Sequence, residues 1–124
     1  MADTPLPSAG RERQSFEELR ELNGHGAEYW SARGLQVLLG YSQWRRFEQA
    51  IERAITSCTQ SGNESENHFA GSGKPIRGGK GAIQIVQDYQ LSRFACYLIA
   101  QNGDPRKPEI AQAQAYFAIQ ARRQ

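Results

Sequence analysis

The segment between Ala27 and Cys58 restricts the possible folds of this chain more than any other. A short apolar run ends at Gly40, and glycine readily adopts the left-handed conformation that terminates helices. Beyond it, apolar residues recur three and four positions apart: Trp44, Phe47, Ile51, Ala54, Ile55 and Cys58. This spacing places them on one side of an α-helix. We expect Ser31 and Ser42 to cap the short helix and the long helix, giving a helix-turn-helix-like pair.

Two segments favour β-strands. Tyr29 and Trp30 form a short apolar pair, and the run Ala82–Leu91 alternates between apolar and polar residues. We expect the two segments to form a small sheet, and we expect four residues to share one of its faces: Ile83, Ile85, Tyr89 and Leu91. Residues 59–81 are polar and glycine-rich, which predicts a long loop.

Two further helices follow. Ser92 and Asn102-Gly103 delimit the first, and Pro108 suits the first turn of the second, where a missing N–H carries no penalty. The apolar spacing of the last helix predicts these buried residues: Ile110, Ala113, Phe117 and Ala121. Because its apolar residues cover more than one stripe, we expect it to be packed on two sides. It carries no stop signal, so we expect the chain to continue in a longer protein.

The expected fold is therefore a single α+β domain that is mainly helical and contains a small β-sheet. Residues 1–14 lack apolar periodicity and are expected to form a disordered leader, with the domain spanning residues 15–124. Ser15 and Glu18 have the spacing of a capping box at the start of a short helix.

Composition narrows the class of protein. The chain has 124 residues, 39% of them hydrophobic and 23% charged, which suits one globular domain. No apolar run approaches the ~18 residues of a membrane span, and the amino terminus has no secretory signal. Cys58 and Cys96 lie among apolar neighbours, which favours buried thiols over a disulfide. We expect a cytoplasmic protein.

The residues that carry catalysis or bind metals are sparse. His25 and His68 lie in separate segments, no serine occupies a nucleophile elbow, and no Cys/His spacing fits zinc. Glu64 and Glu66 near His68 suggest a weak metal site, but a polar loop is the better interpretation. We expect no enzyme activity, no metal and no cofactor.

The charges are unevenly distributed although the net charge is only +2. Acidic residues are missing between Glu66 and Asp88, whereas Lys74, Arg77 and Lys80 are present among several glycines. Glycine lets a backbone approach phosphate closely, so this segment is a candidate basic arm for nucleic acid. The alternative is a flexible connection with solubilising charges.

A second candidate site lies at the start of the long helix, where Ser42, Gln43, Arg45 and Arg46 follow one another closely. In a helix-turn-helix, residues at this position face the major groove, where Arg pairs with guanine and Gln with adenine. The alternative is that Arg45 pairs with Glu48 and that Arg46 is solvated.

A candidate partner-binding surface lies in and after the turn "NGDPRKP". Arg106 and Lys107 precede the last helix, and Tyr116 and Phe117 are typical interface anchors if they are exposed. The alternative is that Asp104 caps the turn locally and pairs with Arg106.

Three long stretches carry a family resemblance: "YWSARGLQVLLGYSQWRRF", "LSRFACYLIAQNGDPRKPEIA" and "QAYFAIQARRQ". From Phe16 to Gln124 the chain resembles the BRO-N domain of phage antirepressors and baculovirus BRO proteins, which also forms the amino-terminal part of the bacterial DNA-damage-inducible D family. The resemblance implies a non-catalytic regulatory module of the SOS response that binds DNA, either single- or double-stranded. It also implies the recombinase RecA as a partner. The alternative is a protein-interaction module that restrains RecA filaments or mediates self-association as a homo-oligomer.

Overall fold

The computed structural model describes residues 16–122, which contain helices and an antiparallel sheet. The helices are α1 (Ala32–Leu38), α2 (Trp44–Gln60), α3 (Arg93–Gln101) and α4 (Pro108–Arg122). The strands are β1 (Glu21–Leu22), β2 (Glu28–Ser31), β3 (Phe69–Arg77) and β4 (Ile83–Leu91), in the spatial order β1-β2-β4-β3. The predicted α+β class is confirmed, whereas the leader at residues 1–14 and the cap at Ser15 lie outside the described residues.

The helix pair forms where local signals placed it. The Ser31 hydroxyl accepts a hydrogen bond from the Gly34 amide at the start of α1, and Gly40 has a φ of +78° after its end. Helix α2 begins with Gln43 as its N-cap, without a side-chain hydrogen bond. The prediction that Ser42 caps α2 is therefore wrong, because Ser42 lies one residue before the N-cap.

Helices α3 and α4 complete the core. Ser92 caps α3 by accepting from the Ala95 amide at 3.0 Å, and α4 begins at Pro108, as predicted. Helix α4 buries one stripe, which consists of Ile110, Ala113, Tyr116 and Phe117. Ala121 is exposed and Ile119 is 51% exposed, so the expectation of packing on two sides is wrong for the described part of the chain.

An ion-pair cluster attaches the first described residues to the core. Phe16 stacks on Trp30 with ring centroids 4.4 Å apart, and the Trp30 indole donates to the Phe16 carbonyl at 2.8 Å. The Arg93 guanidinium lies 4.9 Å from the Trp30 ring and bonds Glu17 at 2.8 Å and Glu28 at 3.0 Å. The hydrogen bonds and charge of Arg93 lower the pKa of both carboxyl groups.

Both cysteines are free and buried, as predicted. Desolvation raises the pKa of the Cys58 thiol, and it raises the pKa of the Cys96 thiol well above its ordinary value. Neither thiol is therefore primed for nucleophilic chemistry.

The sheet differs most from expectation. Trp30 pairs with Leu91, which confirms the predicted pairing of the two apolar segments. Residues 59–81, however, are not one long loop, because Phe69–Arg77 forms β3 and pairs with β4 along its whole length. Ile83 and Ile85 lie on the same face of β4 as Leu91, as predicted, but they are 70% and 69% exposed whereas Leu91 is buried.

Candidate nucleic-acid interface

The β3–β4 hairpin extends beyond the core. In its register, Phe69 lies opposite Leu91 and Arg77 lies opposite Ile83. Phe69 and Leu91, at the base of the hairpin, are buried. Residues 73–87, the arm, contain no buried position. The hairpin is therefore part of the domain at its base and a free two-stranded ribbon along the rest of its length.

The arm carries positive charge on both faces and at its tip. Paired residues of an antiparallel ladder lie on the same face, so Lys74 shares one face with Val86, and Arg77 shares the other with Ile83. Lys80 lies in the turn, with a φ of 61°. Within residues 16–122 none of these three cations takes part in an ion pair. The arm thus offers its positive charge to an external anion.

A buried carboxylate fixes the base of the arm. Asp88 is 5% exposed and accepts hydrogen bonds from the Ser31 hydroxyl at 2.6 Å, the Arg33 amide at 3.0 Å and the Tyr89 amide at 2.8 Å. Because Ser31 and Arg33 belong to the start of α1, this contact joins β4 to the helix pair. Asp88 therefore has a structural role in orienting the arm.

Arg33 adds a second connection at the same place. Its Nε donates to the Gln87 carbonyl at 2.8 Å, and its guanidinium lies 3.8 Å from the centre of the Trp44 ring. The arm, α1 and α2 consequently meet at one side chain. Sequence reasoning missed both Arg33 and Asp88, since their contacts span more than fifty positions and leave no local signal.

The residues predicted at the start of α2 separate into two groups. Ser42, Gln43 and Arg46 line a surface depression together with Lys107 and Asp104. This depression lies at a helix end that has no side-chain cap and no acidic residue in its first turn, a setting that favours anions.

Arg45 and Arg46 are exposed and project about 100° apart around α2. Trp44 faces the arm's base at Tyr89, with ring centroids 6.4 Å apart, so Arg46 points away from the arm. No ion pair joins Arg45 to Glu48 in the described part of the chain.

Two carboxylates of α2 lie close to the base of the arm. Burial raises the pKa of Tyr89, and the negative charges of Glu48 and Glu52 raise it further. Phosphate would be repelled at this part of the surface. The geometry therefore favours contact along the outer arm rather than at the junction between the arm and α2.

The α3–α4 turn satisfies its own charges. Arg106 donates to both carboxylate oxygens of Asp104 at 2.9 to 3.2 Å, and these bonds lower the pKa of Asp104 to about 2. The Lys107 ammonium donates to the Gly40 carbonyl at 3.0 Å. The local pairing of Asp104 with Arg106, the alternative to a docking role, is present.

Tyr116 and Phe117 are buried in the core, and the Tyr116 hydroxyl donates to Glu17. These two aromatic residues could anchor a partner only if they were exposed, and they are not exposed. The arm instead carries exposed aliphatic residues: Ile76, Ile83 and Ile85.

Residues 16–122 contain neither a cluster of metal ligands nor a membrane-spanning helix. No group of three or more His, Cys, Asp or Glu side chains is arranged there to hold a metal ion. No helix in this part of the chain has the length and the apolar character needed to cross a membrane.

The sequence of this domain, in which a hairpin arm is joined to a helix pair, matches a known protein family. Residues 18–118 match the family described as BRO family, N-terminal domain, and the chain belongs to this family. Over 111 residues it is 50% identical to DNA damage-inducible protein D of Escherichia coli (strain K12), an alignment that covers 90% of this chain and 40% of that protein. The chain thus spans less than half the length of this relative. No solved structure matches it.

Proposed function

We propose that this domain is a DNA-binding regulatory module of the bacterial DNA-damage response. The observation that carries the proposal is the arm, an exposed ribbon with Lys74, Arg77 and Lys80 and without acidic residues between Glu66 and Asp88. Protein–DNA affinity comes largely from cations that neutralise phosphates. The printed name of the relative, DNA damage-inducible protein D, supports the biological setting.

The depression at the start of α2 is a second proposed contact. Ser42, Gln43 and Arg46 line it together with Asp104, whose charge is paired with Arg106, and the helix end has no side-chain cap. Free amides at such an end bind phosphate oxygens. Arg45 projects from the same end of the helix. Because Arg46 points away from the arm, this helix end is a contact separate from the one along the ribbon.

We further propose that the module acts by binding in the cytoplasm and is not an enzyme. His68 supports this, since its Nδ1 is hydrogen-bonded to the Ser92 hydroxyl at 2.7 Å and its ring packs against Phe94, a structural environment for an imidazole.

The salt dependence of DNA binding tests the proposal. Binding constants can be measured by fluorescence anisotropy with labelled duplex and single-stranded DNA. The logarithm of the association constant should fall linearly with the logarithm of the salt concentration. Replacing Lys74, Arg77 and Lys80 together by Gln should lower that slope by about 2.7, because each phosphate contact contributes about 0.9. Between 50 and 200 mM salt this amounts to about a 40-fold smaller loss of affinity.

A matched control removes the same charge elsewhere. Arg20, Arg53 and Arg106 each have an intramolecular partner, so their joint replacement by Gln should leave the slope nearly unchanged. Absence of DNA binding by the unaltered chain at low salt would refute the proposal. An equal slope loss in both triple variants would show that net charge, and not the arm, determines binding.

Protein interaction is the second candidate function, with RecA filaments or a second copy of the chain as the partner. The observation that favours it is the pair of exposed isoleucines, Ile83 and Ile85, since exposed aliphatic residues close together often mark an interface. Sedimentation with and without RecA, in the absence of DNA, tests it. Co-sedimentation, or self-association of the chain alone, would support this candidate, and a monomer that ignores RecA would exclude it.

A further inference from the structure

The two most exposed isoleucines of the arm, Ile83 and Ile85, lie on one of its faces, and the other face carries Val86 and Ile76, the latter 40% exposed. Ile83, Ile85 and Pro75 lie on the same face of the ribbon, because Pro75 pairs directly with Ile85 and positions 83 and 85 share a side. All three are exposed, and the two isoleucines are 70% and 69% exposed. In the free domain this face has nothing to pack against.

Gly73 keeps the Ile85 side chain in place. A Cβ at position 73 would stand 2.7 Å from Ile85 Cγ2, so the isoleucine lies across the neighbouring strand in space that only glycine leaves open. Pro75 and Gly73 thus flank Ile85 on the opposite strand. The result is a narrow aliphatic ridge with defined side-chain positions.

The charges around this ridge identify its occupant as a polyanion. Arg77 pairs with Ile83 on the same face, Lys80 follows in the turn and Lys74 lies on the opposite face. The segment between Glu66 and Asp88 contains no acidic residue, and at the base of the arm Glu21 lines a surface depression with Lys74 and Pro75. An aliphatic ridge bordered by unpaired cations complements a groove, which has apolar base surfaces between two rows of phosphates.

Two other occupants fit the ridge less well. Single-stranded nucleic acid is held by bases that stack on aromatic side chains, and residues 70–88 contain no aromatic residue. A second chain adding a strand at β3, one of the two edges of the ribbon, would meet Pro75. Pro75 interrupts that edge because it has no N–H, and proline is a recognised obstacle to strand addition.

We propose, building on the DNA-binding function above, that the arm enters a groove of duplex DNA and inserts its isoleucine ridge as a wedge that bends the duplex. Aliphatic wedges part neighbouring base pairs and kink DNA in this way. Ile83 and Ile85 are about 6.7 Å apart along the strand, roughly two base-pair rises, so they cannot enter the same step. Because aliphatic groups read no hydrogen-bond pattern, the arm selects deformable duplex rather than a particular sequence.

Paired substitutions that preserve strand preference test the wedge. In Ile83→Thr plus Ile85→Thr, β-branched side chains remain while the apolar tips are removed. The control is Ile119→Thr, an isoleucine on α4 that is 51% exposed and lies outside the arm. The probes are a 30-base-pair duplex carrying a donor and an acceptor at its ends, the same duplex with a central nick, and an oligothymidine strand.

The full chain should raise the energy transfer between the duplex ends, and it should bind the nicked duplex more tightly because a nick already lowers the cost of unstacking. The double variant should lose most of the transfer change and bind intact duplex about tenfold more weakly, whereas the control behaves like the unaltered chain.

Each contrary outcome has a distinct meaning. Duplex binding without bending, or bending that survives the double substitution, would overturn the wedge and leave the proposed DNA-binding function intact. Tighter binding to oligothymidine than to either duplex would overturn it as well. Absence of binding to all three probes would overturn the proposed function together with the wedge. If the double variant lost only self-association, the ridge would be a protein-docking surface and the wedge would be wrong.

Discussion

Asp88→Ala should destabilise the domain more than any substitution of a charged residue on the arm. The Asp88 carboxylate is buried and accepts from the Ser31 hydroxyl, the Arg33 amide and the Tyr89 amide at 2.6 to 3.0 Å. Removing it leaves a helix-terminal amide and a hydroxyl without their partner. It also removes one of the two connections that hold the arm against α1.

The magnitude follows from these bonds. Loss of an acceptor at a helix N-terminus costs about 1 kcal/mol. A hydrogen bond to a charged group contributes about 1.5–3 kcal/mol, and part of the Ser31 bond is replaced by water because Ser31 is half-buried. We expect a total loss of about 3 kcal/mol for Asp88→Ala and about half of that for Asp88→Asn, which retains one acceptor oxygen.

Urea denaturation followed by tryptophan fluorescence measures this difference. With a denaturant dependence of about 1.5 kcal/mol per M, the Asp88→Ala midpoint should fall by about 2 M. The control is Glu52→Ala, an exposed carboxylate on α2 that should change the free energy of unfolding by less than about 0.5 kcal/mol. If Asp88→Ala also stayed within about 0.5 kcal/mol, the carboxylate would not anchor the arm.

Two further predictions concern acid stability and the helix pair. Since Arg93 lowers the pKa of Glu17 and Glu28 below 4.5, their contribution to stability is present above that pH and disappears as the pH falls through the lowered pKa values. Thermal melts from pH 6 to pH 3 should thus decline less steeply for Arg93→Gln, and an unchanged decline would contradict the ion-pair cluster. Gly40→Ala should lower the unfolding free energy by about 1 kcal/mol because φ is +78°, whereas Gly24→Ala, with open space around it, should be nearly neutral.

Local signals made the helix pair predictable from the sequence. Ser31, Gly40 and the apolar periodicity of α2 act within a few residues of the helix ends they determine. The error at Ser42 is a shift of one residue, because Gln43 already has the extended conformation of an N-cap. Pairing of the segments that contain Trp30 and Leu91 was predictable because both segments have strand-like apolar residues.

The arm could not be predicted from local sequence, because β3 is extended only through its pairing with β4. Glycine and polar residues give residues 70–74 no strand signal, and only the register with β4 makes them extended. Alternation correctly placed Ile83 and Ile85 on the same face as Leu91. The alternation could not show that β4 continues past the edge of the core. For this reason the same face of β4 is buried at Leu91 and exposed at Ile85.

Stability and the proposed DNA binding consequently depend on different residues of one hairpin. An isolated two-stranded ribbon is marginal in water, so the arm depends on its buried base, where Asp88 and Arg33 attach it to the helices. Ile83 and Ile85 contribute little to folding because each stays about 70% exposed. Burying such a side chain fully is worth about 1.5–3 kcal/mol, and in this domain most of that free energy is released only when a partner covers the ridge.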